Sequence, residues 1–357
     1  MNSTSALCRA ITIGALAAAA CHTSDPPRKP AAATAEPPNE GEVRAARVGA
    51  RRIGTPAPAL TLKTIDGETI DLARLYGDKP VYLKFWATWC IPCRAQMPGF
   101  ERTFEALGDR VHVIAVNTGL DDDEAAVRKL RAQFGLRMPV VMDDGTLAAA
   151  LDLTVTPQHI VIGRDGKIAY VGHVDGAPLD QALQKALAAA APATPAAAQP
   201  VAVRPAFRIG DAVTGLDATT IDGARVRIGG SGRPTAVVLF SAWCETYDGI
   251  KNNQPRTLED CRRVRAQLAT LTGQGDVDWI GVARGLWSDP ADVAEYKATA
   301  KISYPLVFDG DGAIFRAFGV RQAPTVALIA RDGRLVRLVG PDDRDLADAV
   351  RKLAEAR

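Results

Sequence analysis

The sequence predicts an α/β protein of two domains, each with a central mixed β-sheet flanked by helices. Three observations favour this class: the length of 357 residues, an alternation of short apolar runs with helical patterns, and an internal repeat. A hydrophobic fraction of 47% is enough for two cores. The formal net charge of +2 gives no electrostatic reason to expect nucleic-acid binding. Six cysteines are too few for a disulfide scaffold, so the role of each depends on its own sequence surroundings.

The first 20 residues have the features of an export signal. Arg9 precedes the apolar run 11–20, and three small residues stand directly before Cys21. Small residues before a cysteine resemble a bacterial lipoprotein signal, which implies that Cys21 becomes the lipidated first residue of the mature chain. The alternative is ordinary cleavage without a lipid. Both interpretations predict an exported protein from which residues 1–20 are removed.

Two segments rich in proline and alanine are predicted to separate the folded parts. Residues 21–52 have no sustained apolar period and are predicted to form a disordered tether. Residues 188–204 are predicted to form a linker. The predicted domains are therefore residues 53–187 and 205–357. No apolar run of about 18 residues occurs, so no segment of the mature chain is predicted to span a bilayer.

The two predicted domains repeat one sequence pattern. The motif Thr-Ile-Asp-Gly at 64–67 recurs at 220–223, and Phe-Trp-Ala-Thr-Trp-Cys at 85–90 recurs as Phe-Ser-Ala-Trp-Cys at 240–244. The spacing between the copies is 154 residues at the cysteines and 166 at a later proline-led strand. The second copy therefore carries about twelve extra residues just after its cysteine.

Both copies are predicted to share one order of strands and helices. In the first copy, the predicted strands are 81–87, 111–117, 140–142, 160–163 and 167–171, and the predicted helices are 94–107, 122–134 and 179–189. In the second copy, the predicted strands are 236–241, 277–283, 306–308, 326–330 and 335–339. A helix ending at Ala300 is predicted to begin at Ser288-Asp289-Pro290, because an N-cap residue and a first-turn proline suit the unpaired amides there.

A pair of cysteines follows the first long strand. Cys90 and Cys93 are separated by Ile-Pro and precede a helical pattern. A helix N-terminus favours the thiolate over the thiol, so we expect Cys90 to attack a substrate disulfide. Two intervening residues place Cys93 one turn further on, where it can resolve the mixed disulfide. The alternatives are half of a zinc site, which would need a second ligand pair, or two buried structural thiols.

These residues carry a resemblance to a known family. The sequence Phe-Trp-Ala-Thr-Trp-Cys-Ile-Pro-Cys-Arg at 85–94 resembles the active site of the thioredoxin superfamily, in which Trp89 and Pro92 support the cysteines. Residues 51–187 resemble the TlpA/ResA-like thiol–disulfide oxidoreductases of the bacterial envelope. The resemblance implies thioredoxin-like domains, the first with an inserted helix and strand at 122–143.

The resemblance also implies a substrate-binding wall opposite the cysteines. Pro157 fits the cis-proline that the family requires at this place. The backbone of Thr156 is then expected to pair with an extended substrate segment, as in strand addition.

Two positions depart from the family pattern. Gln96 replaces the family's acidic residue three positions after the second cysteine, which removes any proton-transfer role for that carboxylate. Lys84 stands where thioredoxins have a buried aspartate. A partly buried ammonium group could stabilise a thiolate at Cys90 or Cys93. The alternative is that Lys84 lies on an exposed strand face and extends into solvent.

In the second copy, Tyr247 stands where the resolving cysteine belongs, so ordinary dithiol exchange is excluded there. Cys244 keeps the attacking position, and Cys261 lies in a helical pattern after the extra residues. If those residues loop out, Cys261 returns beside Cys244, and we predict a redox or structural disulfide between them. Pro324 fits a second cis-proline. The alternative is a degenerate domain that keeps one cysteine and serves for binding or spacing.

The resemblance implies a protein-disulfide reductase tethered to a membrane in the envelope or periplasm. The partners it implies are disulfide-containing envelope proteins such as apocytochrome c, which would link the chain to cytochrome c maturation, and a membrane electron donor. It implies no cofactor and no metal. A peroxiredoxin-like thiol peroxidase is one alternative, although Ala87 and Ser241 stand where that family has threonine. A non-enzymatic module that binds copper or client proteins is the other.

Overall fold

A computed structural model describes residues 39–248, 250, 255–273 and 275–356 of the chain. The predicted signal at 1–20, the predicted lipidation at Cys21 and most of the predicted tether lie outside these residues. None of the helices in the described ranges combines the length and the apolar character that crossing a membrane requires.

The first domain is built on a five-stranded mixed sheet. Its helices are α1 (Glu40–Arg52), α2 (Leu72–Leu75), α3 (Ile91–Leu107), α4 (Glu124–Phe134), α5 (Thr146–Ala150) and α6 (Ala177–Ala188). Its strands are β1 (Pro58–Ala59), β2 (Thr61–Lys63), β3 (Thr69–Asp71), β4 (Val81–Trp86), β5 (His112–Asn117), β6 (Val140–Met142), β7 (Gln158–Ile162) and β8 (Ile168–Gly172). The main sheet has the order β6-β5-β4-β7-β8, in which β4, β5 and β6 are parallel and β7 is antiparallel to both of its neighbours.

The second domain repeats this sheet. Its strands are β10 (Asp217–Thr219), β11 (Arg225–Arg227), β12 (Thr235–Phe240), β13 (Asp278–Arg284), β14 (Leu306–Asp309), β15 (Thr325–Ile329) and β16 (Leu335–Val339), and its helices are α7 (Pro255–Leu271), α8 (Pro290–Thr299), α9 (Ala313–Ala317) and α10 (Leu346–Glu355). The order β14-β13-β12-β15-β16 is the order of the first sheet, with the same parallel and antiparallel pairs. The predicted fold class, two α/β domains with mixed sheets, is confirmed.

The central strand of each sheet positions the cysteine motif that follows it. All residues of β4 and of β12 are buried, as expected for a strand covered by helices on both faces. Helix α3 begins three residues before its predicted start, because Cys90 is the N-cap and Pro92 fits the first turn.

The predicted tether is wrong at its end, because residues 40–52 form helix α1. Asn39 caps the helix by accepting a hydrogen bond from the amide of Gly41 at 2.8 Å. Ala45 and Val48 are fully buried in the core of the first domain. The apolar face is only a few residues wide, and the surrounding arginines and glutamates conceal it in the sequence.

The second half of the predicted linker 188–204 is bound to the first domain. Gln199–Pro200 forms strand β9, which pairs in parallel with β1, and the amide of Gln199 donates to the carbonyl of Ala57 at 2.8 Å. The amide of Ala196 also donates to Asp165 O at 2.8 Å. The sequence limits of the two domains stay predictions.

Candidate active site

Cys90 and Cys93 lie at the N-terminus of α3, where a disulfide joins them in this structure. Their Cα atoms are 5.2 Å apart, and the amide of Cys93 donates to Cys90 Sγ at 3.2 Å. The sulfur of Cys90 thus takes the place of the side-chain oxygen that usually accepts from first-turn amides. After reduction, the same amide and the helix dipole would favour a thiolate on Cys90.

A buried carboxylate holds the loop before Cys90. Asp122 accepts hydrogen bonds from the Thr88 amide at 2.8 Å and from Asn117 Nδ2 at 2.7 Å, and it also contacts the Thr88 hydroxyl. Burial raises the pKa of Asp122 to about 6, although the hydrogen bonds from Asn117 and Thr88 oppose this rise. The indole nitrogen of Trp89 donates to Leu120 O at 2.9 Å. The loop after β5 therefore fixes both residues that precede Cys90.

A chain of buried hydrogen bonds lies behind the Thr156–Pro157 peptide bond, which is cis. His173 Nδ1 donates to Pro157 O at 2.7 Å, and Gln96 Nε2 donates to His173 O at 3.2 Å. Gln96 Oε1 then accepts from His159 Nε2 at 3.0 Å, which leaves His159 Nδ1 to accept from the Tyr82 hydroxyl at 2.7 Å. Gln96 therefore links two histidines that the sequence does not predict to be catalytic.

Lys84 is fully buried, so the exposed-face alternative is wrong. Its Nζ lies 5.0 Å from the centroid of the Phe100 ring and has no hydrogen-bond partner among the described residues. The side chain lines a cavity of about 650 Å³ between α3 and α6, together with Asp175. Burial lowers the pKa of Lys84 to about 7, against the attraction of Asp175. Whether Lys84 stabilises a thiolate stays a prediction.

His159 lies opposite Lys84 in the pairing of β4 with β7. Burial lowers the pKa of His159 well below its ordinary value, and the positive charge of Lys84 lowers it further. A neutral imidazole agrees with the hydrogen bonds above, because one ring nitrogen donates and the other accepts.

The second domain also contains a disulfide, between Cys244 and Cys261. Cys244 follows β12 and Cys261 lies in α7, with their Cα atoms 6.5 Å apart. The Ala323–Pro324 peptide bond is cis. The structure thus brings together the two cysteines named from the sequence, and their redox or structural role stays a prediction.

The cysteine-bearing faces of the two domains contact each other. The ring centroids of Trp89 and Trp243, each directly before a cysteine, are 5.0 Å apart. The hydroxyl of Tyr247 accepts a hydrogen bond from the amide of Ile91, in the first turn of α3, at 3.0 Å. Cys90 is fully buried. The residue that replaces a resolving cysteine in the second domain therefore contacts the active-site helix of the first.

The contacts between the domains are reciprocal. The amide of Trp287, after β13, donates to Thr154 O at 2.9 Å. The amide of Asp121, after β5, donates to Arg321 O at 3.0 Å, and Asp121 Oδ1 accepts from the amide of Ala323 at 2.7 Å. Thr154 and Arg321 each precede the cis-proline of their domain by three residues. Each domain thus covers the substrate-binding wall predicted for the other.

Trp287 covers the predicted wall of the first domain with its side chain as well. Its indole nitrogen donates to Thr156 Oγ1 at 3.1 Å. Its ring is nearly perpendicular to that of His173, with centroids 5.6 Å apart. The residue expected to pair with a substrate strand is therefore beside an aromatic side chain of the second domain.

A buried ion pair crosses the same interface. A guanidinium nitrogen of Arg284 lies 2.9 Å from Asp121 Oδ2, and the two side chains are only 4% and 5% exposed. The guanidinium carbon also lies 4.7 Å from the centroid of the Phe315 ring. Burial raises the pKa of Asp121, whereas Arg284 and the amide of Ala323 lower it. No motif in the sequence marks Asp121, Arg284 or Trp287 as interface residues.

The repeated fold and the dithiol at a helix N-terminus define a thioredoxin-like protein of thiol–disulfide exchange. Residues 53–171 match the model of the AhpC/TSA family, and residues 199–353 match the model named Redoxin. The chain is 34% identical over 133 residues to the thioredoxin-like protein YneN of Bacillus subtilis. This alignment covers 36% of this chain and 78% of that protein. It is 33% identical over 138 residues to a thiol-disulfide oxidoreductase ResA of Bacillus cereus, over 38% of this chain and 78% of that protein. The chain belongs to the ResA-like thiol–disulfide oxidoreductases of the thioredoxin superfamily.

A solved structure also resembles part of the chain. The thiol:disulfide interchange protein of the thioredoxin family from Chlorobium tepidum TLS is 29% identical, with a TM-score of 0.33, over 37% of this chain and 96% of that protein.

The substitution Lys84→Met, which removes the buried lysine, is expected to reduce the slope with which the free energy of unfolding rises with pH. The folded-state pKa is about 7 and the ordinary value is about 10.4, so the unfolded chain binds more protons between these values and stability rises with pH there. One such group contributes at most about 1.4 kcal/mol per pH unit. Urea unfolding between about pH 7 and 9 measures the slope, with the exposed Lys129→Met as control. An unchanged slope in Lys84→Met would contradict the assignment.

Breaking the buried ion pair by Arg284→Met is expected to expose Cys90. Removing one partner of such a pair costs about 3–5 kcal/mol, and about 1.4 kcal/mol is a tenfold change in an equilibrium. The alkylation of reduced Cys90 by iodoacetamide should therefore accelerate at least about tenfold, as followed by mass spectrometry. Arg337→Met is the matched control, because Arg337 pairs with Asp345 on the surface of the second domain. Equal rates in both variants would contradict the closed interface.

Proposed function

We propose that the chain reduces disulfides of other proteins, with Cys90 as the attacking and Cys93 as the resolving cysteine. The observation that carries this proposal is the position of the pair: Cys90 caps α3, and the amide of Cys93 already donates to its sulfur. Donors that face this sulfur stabilise negative charge on it. The Cys90 thiolate would therefore be both a nucleophile and a good leaving group.

The reaction proceeds by two exchanges. The Cys90 thiolate attacks one sulfur of a substrate disulfide, which forms a mixed disulfide and releases the other substrate sulfur as a thiolate. Cys93 then attacks Cys90 Sγ, which releases the second substrate thiolate and leaves the Cys90–Cys93 disulfide. Two electrons from a donor are needed to return the pair to the dithiol, and a membrane electron donor is the partner proposed for this step.

Access to Cys90 requires the second domain to move away. Trp287 donates hydrogen bonds to the carbonyl of Thr154 and to the hydroxyl of Thr156. The hydroxyl of Tyr247 accepts a hydrogen bond from the amide of Ile91. A substrate segment that adds as a strand before Pro157 would use the same backbone groups. Substrate binding and closure of the domains are therefore mutually exclusive in this proposal.

The cellular setting is part of the proposal. The export signal at 1–20 and the lipidated Cys21 would tether the chain to a membrane of the envelope, facing the periplasm. Envelope proteins that contain disulfides, apocytochrome c among them, would then be substrates, with cytochrome c maturation as one process served. The two alternative functions predict other results: consumption of peroxide by a thiol peroxidase, or stoichiometric binding of copper(I) without reductase activity.

Two variants, each of which loses one cysteine, test the assignment of roles. With dithiothreitol as the electron source, the protein is expected to accelerate the reduction of insulin, and Cys90→Ser to abolish this activity. Cys93→Ser, reduced and then freed of dithiothreitol before insulin is added, should instead accumulate a mixed disulfide between Cys90 and insulin, because no resolving thiol is left. Mass spectrometry of the non-reduced protein locates the bond, with Cys90→Ser as the control that forms none. A mixed disulfide on a different cysteine would contradict these roles.

The reduction potential of the Cys90–Cys93 pair tests the direction of the reaction. A value near or below about −250 mV is expected for a reductase, whereas a value near about −120 mV would mark an oxidant. Equilibration with glutathione or dithiothreitol buffers, followed by alkylation and mass spectrometry, gives the value for this pair alone.

A further inference from the structure

The disulfide of the second domain lines a cavity that belongs to this domain alone. The cavity has a volume of about 280 Å³, and its walls include Phe240, Val264, Leu268, Tyr296, Tyr304 and Pro324. Both Cys244 and Cys261 are lining residues, and every other lining residue comes from the second domain. The disulfide thus borders a space that no residue of the first domain lines.

A polar side chain without a partner lines the same cavity. Ser241 is 4% exposed, and within the described part of the chain its hydroxyl has no hydrogen-bond partner. Glu245 and Arg265 also line the cavity, and Arg265 donates two hydrogen bonds to the Glu245 carboxylate, at 2.6 and 3.1 Å. A buried hydroxyl without a partner costs free energy unless a ligand satisfies it. The cavity therefore combines apolar walls, one available hydroxyl and a charged pair with a disulfide.

A protein substrate cannot reach this disulfide in the closed arrangement. The amide of Asp121 donates to the carbonyl of Arg321, and its carboxylate accepts from the amide of Ala323. A substrate strand that adds before Pro324 would use the same two backbone groups. Cys244 and Cys261 are only 5% and 8% exposed. The remaining approach is through the cavity, whose volume of about 280 Å³ lies just below the range of drug-sized ligand sites and suits a small molecule rather than a protein segment.

We propose that the Cys244–Cys261 pair is a second redox centre, which low-molecular-weight thiols reduce through this cavity. One small thiolate attacks a sulfur of the pair, which forms a mixed disulfide and releases the other cysteine as a thiolate. A second small thiolate attacks the mixed disulfide and leaves as the small-molecule disulfide. Two thiols thus lose two electrons and two protons, and the protein pair gains them as two thiols. This proposal does not depend on the function proposed for Cys90 and Cys93.

The test uses the full chain with Cys90→Ser and Cys93→Ser, so that the second pair is observed alone. Dithiothreitol serves as the small dithiol and reduced thioredoxin as a protein dithiol. Reduction of Cys244–Cys261 is followed over time by alkylation and mass mapping. We expect dithiothreitol to reduce the pair at least tenfold faster than thioredoxin does at equal thiol concentration.

Two tryptophan variants on α7 test the route. Ala269 is exposed and lines the cavity, whereas Ala266 is exposed on the same helix outside the lining. Ala269→Trp should slow reduction by dithiothreitol at least fivefold, while Ala266→Trp should leave the rate unchanged. Faster reduction by thioredoxin, equal rates in the two variants, or a pair that stays oxidised in dithiothreitol would each overturn the proposal. The circular dichroism of both variants checks that the fold is kept.

Discussion

The arrangement of the two domains depends on the buried ion pair of Arg284 and Asp121. Charges this deep are stable only when they are paired and hydrogen-bonded, and Asp121 also accepts from the amide of Ala323. The next residue, Asp122, holds Thr88 and therefore the loop before Cys90. Two neighbouring carboxylates thus join the contact between the domains to the shape of the dithiol site.

The two copies of one fold carry different residues at the same position of the cysteine motif. In the first copy, Cys93 follows Cys90 by one helical turn. In the second, Tyr247 takes the corresponding place, and its ring packs edge-on against both Trp89 and Trp243. A tyrosine provides a large apolar surface together with a hydroxyl that accepts from a backbone amide. The tyrosine that stands in place of a resolving cysteine therefore contributes to the cover over the first site.

Local patterns were enough to predict the strands, the cysteine motif and the repeated topology, because each rests on neighbours in the sequence. The pairing of Cys244 with Cys261 could be predicted because the repeat shows how many residues must loop out. The interface between the domains could not be predicted, since Asp121 and Arg284 are 163 positions apart and no motif joins them. The sequence leaves the exposure of Lys84 undecided, because one lysine in an apolar strand fits both a buried and an exposed face. Helix α1 cannot be predicted in the same way, because its narrow apolar face lies among charged residues.

The pairing of β9 with β1 has a consequence for how far the second domain can travel. Pro200 is fixed to the first domain, and the amide of Phe207 is bonded to Ala317 O in the second. Only residues 201–206 lie between these points, and the seven steps from Pro200 to Phe207 reach at most about 23–25 Å at about 3.3–3.6 Å per residue. Because this connection is so short, a detached second domain stays at a local concentration of the millimolar order around the first. Every client protein that docks on the first domain therefore competes with the second domain of the same chain.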